Sequence, residues 1–187
     1  SRVLLLEAGG KDNYHWIRIP VGYLYCIGNP RTDWCFRTEA QTGIGGRAMN
    51  YPRGKVVGGS SSINAMVFIR GQQQDYNDWR DAGNPGWGWQ DVLPYFRKLE
   101  TFSDGADEYR GDSGPLYVNN VSAQYHPLCH SFVKGAEQCG FHYNPDFNGA
   151  AQEGVGFYQI TARDGRRMSA ARAYLHPAMQ RPNLAVL

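Results

Sequence analysis

No run in the 187-residue sequence is long and apolar enough to cross a membrane, and the N-terminal residues do not read as a signal peptide. Cysteine is sparse: four stand at positions 26, 35, 129 and 139, with no CxxC pair and no clustered histidines. That spacing fits neither the usual zinc sites nor a disulfide framework. The four are read as reduced thiols of a cytoplasmic protein, with peripheral contact at the inner membrane left open. A strong charge is lacking too. Nineteen basic residues against seventeen acidic ones leave a formal charge of +2, too little to indicate nucleic acid as a partner. The basic group Arg166, Arg167 and Arg172 is read as a solvated face. Repeats and low-complexity stretches are missing as well. What is plentiful is aromatic surface, with twelve Tyr and five Trp, rings that either line clefts or fill cores.

Both ends carry apolar runs. Val3-Leu-Leu-Leu6 closes on Glu7 and then Ala8-Gly9-Gly10, the pattern of a buried parallel strand and its turn. Arg181-Pro-Asn-Leu-Ala-Val-Leu187 opens a second such strand. In dinucleotide-binding folds a carboxylate at a strand end holds the adenosine ribose, about 20 residues past a glycine-rich pyrophosphate turn. Only six residues precede Glu7, so the expectation is a fragment whose first strand and glycine-rich turn lie outside it.

The most informative stretch runs from Tyr51 to Gly71. Gly58-Gly59 and three serines form a permissive loop with several donors. Ile63, Met66 and Val67 then fall at helical spacing, which predicts a short helix capped by Ser, with Arg70 in its last turn and Gly71 just beyond. A phosphate-cradling loop is excluded, because Lys55 precedes the glycines instead of following them. A hydrolase elbow is excluded as well, since Ser62 stands where its second Gly belongs.

The residues Gly54, Lys55, Val57, Gly58, Gly59, Ser60, Ser61, Ile63 and Asn64, with Phe68, Gly71 and Asn77 later, match a spaced signature. On these positions the chain resembles the glucose–methanol–choline (GMC) oxidoreductases, most nearly their choline dehydrogenase-like members. The resemblance extends along the chain, through residues 3–10, 75–100 and 152–184. It implies an incomplete α/β FAD-binding Rossmann-like domain joined to an α+β substrate-binding domain. Residues 1–10 and 45–75 would be FAD-domain material and 11–44 a loop region over the flavin. Residues 76–165 would mostly form the substrate domain, and 166–187 would return to the FAD domain.

The resemblance also implies roles. Glu7 would hold the adenosine ribose, with Ala8 near the adenine. Arg53, Gly54, Val57, Gly58, Gly59 and Ser60 would pass beside the flavin. Asn64, Ala65, Met66 and Val67 would lie against its reactive edge and donate backbone hydrogen bonds. Some members bind FAD covalently through a His at the position of Ile63, and Ile implies non-covalent FAD. The implied reaction is oxidation of choline or a similar primary alcohol by hydride transfer to the flavin. Electrons would pass on to a quinone, a dye-type acceptor or oxygen. None of His15, His126, His130, His142 and His176 lies in a matching motif, so no catalytic base is assigned; it would come from the remainder of the chain. The alternatives are a GMC-fold hydroxynitrile lyase, or a fragment inactive by itself. Elsewhere, helices are expected over 89–100 and 128–139, and strands over 116–118 and 157–160.

Overall fold

A computed structural model describes all residues from Ser1 to Leu187. The chain divides into two compact units: Ser1–Met66 with Ala162–Leu187, and Val67–Thr161.

In the first unit, β1 (Val3–Leu5) pairs in parallel with β10 (Leu184–Val186), Val3 opposite Leu184 and Leu5 opposite Val186. The expected strands and their direction are thus observed. The expected burial is not, because this is a two-stranded ribbon and Val3, Leu4 and Leu6 stand exposed. Residues 11–44 are largely irregular, as expected, but they hold two one-turn helices, α1 (His15–Arg18) and α2 (Tyr23–Cys26). Two short hairpins follow. In one, β2 (Phe36–Arg37) pairs with β3 (Asn50–Tyr51); in the other, β8 (Ala162–Arg163) pairs with β9 (Arg166–Arg167) across a turn with Asp164 and Gly165 at positive φ. A wide π turn over Ala171–Leu175 runs into α6 (His176–Ala178). Ile17, Cys26, Val56 and Ile63 form a small core flanked by Tyr14 and Trp16. Burying side chains of this size contributes about 1.5–3 kcal/mol each.

In the second unit, β4 (Val67–Phe68) pairs antiparallel with β7 (Gln159–Ile160). The predicted strand over 157–160 is therefore realised only in its second half, while Phe157 stacks on Tyr125. Helix α3 (Gln73–Asp81) was not anticipated, although Asp75 marks its start by accepting the Gln72 N–H at 2.7 Å. Helix α4 (Trp89–Leu99) keeps the expected position. Pro94 lies inside it, so the Gln90 carbonyl has no helical donor. Strand β5 (Glu100–Phe102) pairs in parallel with β6 (Leu116–Val118), and α5 (Pro127–Gln138) falls within a residue of expectation at each end. All four cysteines are free thiols, and no helix is long and apolar enough to cross a membrane.

The helix expected after the serines does not form. A single 3-10 turn, Gly59–Ser62, is capped by Gly58, and Ile63 then leaves the helical region at φ −128°. The Asn64 side chain accepts the Met66 N–H at 3.1 Å, and Met66 itself sits at φ +63° before β4 begins. Two forces defeat the helix: a local Asn turn that competes for the backbone, and strand pairing that claims Val67 and Phe68. The apolar spacing is still partly honoured, since Ile63 and Met66 are buried while Val67 is exposed.

Candidate functional site

The site begins where β1 ends. Glu7 accepts the Gly9 N–H through Oε1 at 2.7 Å, leaving its other carboxylate oxygen without a partner. The chain then presses against residues 55–57, with Gly10 O accepting the Val57 N–H at 2.9 Å. Only glycine fits at position 9, because a Cβ there would lie 2.0 Å from the Lys55 carbonyl carbon. Gly54 is under the same constraint: its Cβ would lie 2.2 Å from Gly59 O.

The three serines tie the loop together. Ser60 Oγ accepts the Gly54 N–H at 3.1 Å, Ser61 Oγ donates to Gly58 O at 2.6 Å, and Ser62 Oγ donates to Val57 O at 2.8 Å. Each hydroxyl is engaged in positioning the loop, which agrees with the absence of a nucleophile motif. The result is a cleft of about 540 Å³ whose walls include Leu5, Glu7, Val57, Gly58, Gly59 and Tyr174. Its lining is mostly apolar, with the Glu7 carboxylate at one side. Gly59, at φ +57°, turns toward open space: a Cβ there would meet nothing within 4 Å. A mostly apolar cleft with a carboxylate in its wall can take a largely apolar ligand that carries a hydrogen-bond donor.

Of the residues singled out from sequence, Glu7, Val57, Gly58 and Gly59 are brought together on this cleft. Gly54 and Ser60 brace it from behind, while Ala8 is exposed and does not line it. The Arg53 guanidinium lies 4.3 Å over the Tyr51 ring, and its backbone N–H donates to Asp33. Asn64, Ala65 and Met66 form a separate turn. Within it the Asn64 N–H donates to Ser60 O and the Met66 N–H to Asn64 Oδ1, so that of Ala65 is the donor left unengaged. Val67 belongs to β4, opposite Ile160.

Two buried groups were not found by sequence reasoning. Asp33 accepts the backbone N–H groups of Gly28, Cys35 and Arg53. Burial pushes its carboxyl up, but the three donors outweigh this and hold it below its ordinary value. One Asp in an irregular loop carries no signal for this role. Arg167 overturns the solvated-face reading: Arg166 is exposed, but Arg167 is 2% exposed and reaches the carbonyls of Ile17, Ser61 and Asn64. Alternation along β9 held the signal, since neighbouring strand residues point to opposite faces. The second unit holds a buried ion cluster around Arg70, which had been placed at a helix end. Glu100 receives Arg70 at 2.6 Å and Arg110 at 2.9 Å, and Arg110 also meets Asp146 at 2.7 Å. Burial works against the charge of both arginines. Arg110, held by two carboxylates, ends above its ordinary pKa, and Arg70, held by one, ends below it.

Comparison with known proteins bears on this arrangement. Residues 7–187 match the family described as GMC oxidoreductase. An oxygen-dependent choline dehydrogenase of Brucella anthropi is 44% identical over 99% of this chain and 34% of its own length. An alcohol dehydrogenase [acceptor] of Pseudomonas putida is 44% identical over the whole chain and 34% of its own length. Among solved structures, pyridoxine 4-oxidase from Mesorbium loti superposes with a TM-score of 0.94 at 38% identity, over 100% of this chain and 37% of that one. The chain thus spans about a third of the length of the curated relatives it matches. A match that begins at Glu7 and takes in both the glycine-rich loop and the Asn64 turn shows that the chain belongs to the GMC oxidoreductase family.

Proposed function

We propose that this chain supplies the FAD-binding N-terminal part of a flavin-dependent oxidoreductase acting on a primary alcohol. The observation that carries the reading is the cleft built by Glu7, Val57, Gly58 and Gly59, with a free carboxylate oxygen at its side and a glycine loop open to it. In this reading the first unit is FAD-domain material, and most of the second belongs to the substrate-binding domain. Glu7 accepts the adenosine ribose hydroxyls, and the Ala65 N–H is the free donor for the reactive edge of the flavin. When bound, FAD supplies the hydride acceptor. Ile63 is buried and has no nucleophilic atom, so attachment is non-covalent.

Four of the five histidines are engaged away from this cleft. His176 pairs with Asp12 at 3.2 Å, and His126 accepts the Leu128 N–H at the start of α5. His130 packs on Phe157, and His15 packs between Tyr14 and Trp16. None of the five histidines lines this cleft or lies in a matching motif, so the base that takes the hydroxyl proton is assigned to the remainder of the protein. Choline is the first substrate to try, given the Brucella relative, and longer alcohols are next, given the Pseudomonas one. The electron acceptor is a quinone, a dye-type acceptor or oxygen. The four free thiols suit a reducing compartment such as the cytoplasm.

Glu7→Ala tests the cofactor assignment. The substitution should weaken FAD binding in the complete protein at least tenfold, since a hydrogen bond to a charged group is worth about 1.5–3 kcal/mol. The readout is flavin retention after dialysis, with far-UV circular dichroism as a control for folding. Unchanged retention would contradict a ribose contact at Glu7.

A further inference from the structure

Arg167 is a buried cation in the first unit that the reading above leaves without a task. No carboxylate meets it. Nε donates to Ile17 O at 2.9 Å, and Nη1 donates to Asn64 O at 2.7 Å, to Asn64 Oδ1 at 2.8 Å and to Ser61 O at 3.2 Å. Nη2 is buried with no partner. Burial drives the pKa of the guanidinium down to about 10. Such a charge is costly. Carbonyl dipoles compensate it in part. Scaffolding alone explains Arg167 poorly, since its contacts could hold the turn without a full positive charge.

Two of its four bonds go to one residue, Asn64. Asn64 Oδ1 receives both Arg167 Nη1 at 2.8 Å and the Met66 N–H at 3.1 Å, so a single amide links the cation to the residue held at φ +63°. Between them lies Ala65, whose N–H is aimed by that linkage and is itself unengaged. A non-glycine residue in this left-handed region costs about 1–2 kcal/mol and persists only when its surroundings hold it there.

Resting on the assignment of the Asn64–Met66 turn to the reactive edge of the flavin, we propose that Arg167 is a positioning residue for flavin reduction. It fixes that turn through Asn64, and its unneutralised charge favours the reduced, more negative flavin. No carboxylate neutralises Arg167, so its charge acts on the turn through Asn64. The charge is preorganised, so it acts without reorganisation when the flavin is reduced.

The test uses the complete FAD-loaded protein with three variants, R167M, R167K and N64A. Two properties are measured: the midpoint potential of the bound flavin and its visible spectrum. R167M should shift the equilibrium between oxidised and reduced flavin at least tenfold toward the oxidised form, about 30 mV for a two-electron couple. R167K keeps the charge but cannot span three carbonyls. It should alter the spectrum as N64A does, and its potential should stay closer to wild type than that of R167M. An R167M potential within twofold of wild type, expressed as that equilibrium, would overturn the proposal. Should R167M fail to accumulate with FAD, R167K decides, and an unchanged spectrum together with an unchanged potential would overturn it. N64A separates the two levels. If N64A leaves the spectrum unaltered, the assignment of the turn to the flavin fails. If N64A alters the spectrum and the Arg167 variants change nothing, only the role of Arg167 fails.

Discussion

Glu100→Ala is expected to destabilise the second unit by about 3–5 kcal/mol, the usual effect of removing one partner from a buried ion pair. Glu100 is fully buried and accepts four bonds, from Arg70 Nη2, Arg110 Nε, Arg110 Nη2 and the Gly111 N–H. Alanine would leave two guanidinium groups with Asp146 as the remaining carboxylate, and Asp146 reaches only Arg110. The loss would spread along the network. Asp146 also accepts from the Asn148 backbone and from Gln159, and Asn148 holds the end of β4 and the residues after it, donating to Phe68 O and accepting the Arg70 N–H. Glu100→Gln keeps an acceptor oxygen and should cost clearly less than Ala. Denaturant unfolding of the complete protein, with limited proteolysis to locate the loosened region, gives the answer. A loss below about 1 kcal/mol for Ala, the range of an exposed pair, would show that the cluster is not the keystone of this unit.

Gly54→Ala carries the second large effect, and it falls on the cofactor. The new Cβ would lie 2.2 Å from Gly59 O, 2.3 Å from Gly59 C and 2.6 Å from Ser60 N. These are backbone atoms, so relief requires the Gly58–Ser60 loop itself to move, and overpacking of this kind costs about 1–3 kcal/mol. The same movement breaks the bond from the Gly54 N–H to Ser60 Oγ and displaces Gly58 and Gly59 from the cleft wall. FAD affinity should fall at least tenfold, about 1.4 kcal/mol. Gly43→Ala is the matched control: its Cβ meets nothing within 4 Å, and affinity should be unchanged. Retention of FAD by Gly54→Ala at the wild-type level would contradict the placement of the cofactor against this loop.

The parts of the fold legible in the sequence are those fixed by local patterning. The strand ending at Glu7, the strand over 116–118 and helices α4 and α5 each follow from apolar periodicity and nearby turn residues. Glu7 and the Gly58-Gly59 pair, picked out through the family resemblance, do come together on one cleft. What failed depended on distant chain. The stretch after Ser62 has helical spacing, yet residues 159–160, almost a hundred positions away, pair with it and make it a strand. Arg167 read as part of a solvated face and Arg70 as the last turn of a helix, because nothing local says that carbonyls of residues 17, 61 and 64, or a carboxylate at 100, will surround them. Burial of a charge is a tertiary property, and these two charges are where the one-dimensional reading broke down.

We expect a protein built on this cleft to hold FAD and to reduce it with an alcohol. The visible spectrum of the complete gene product under anaerobic conditions, before and after addition of choline and then of longer primary alcohols, tests this most directly. Flavin absorption bands should be present and should be lost when one of these alcohols is added. Flavin bands that survive every alcohol would contradict the oxidoreductase reading and favour a lyase on the same fold, and a folded, colourless protein would contradict FAD binding itself.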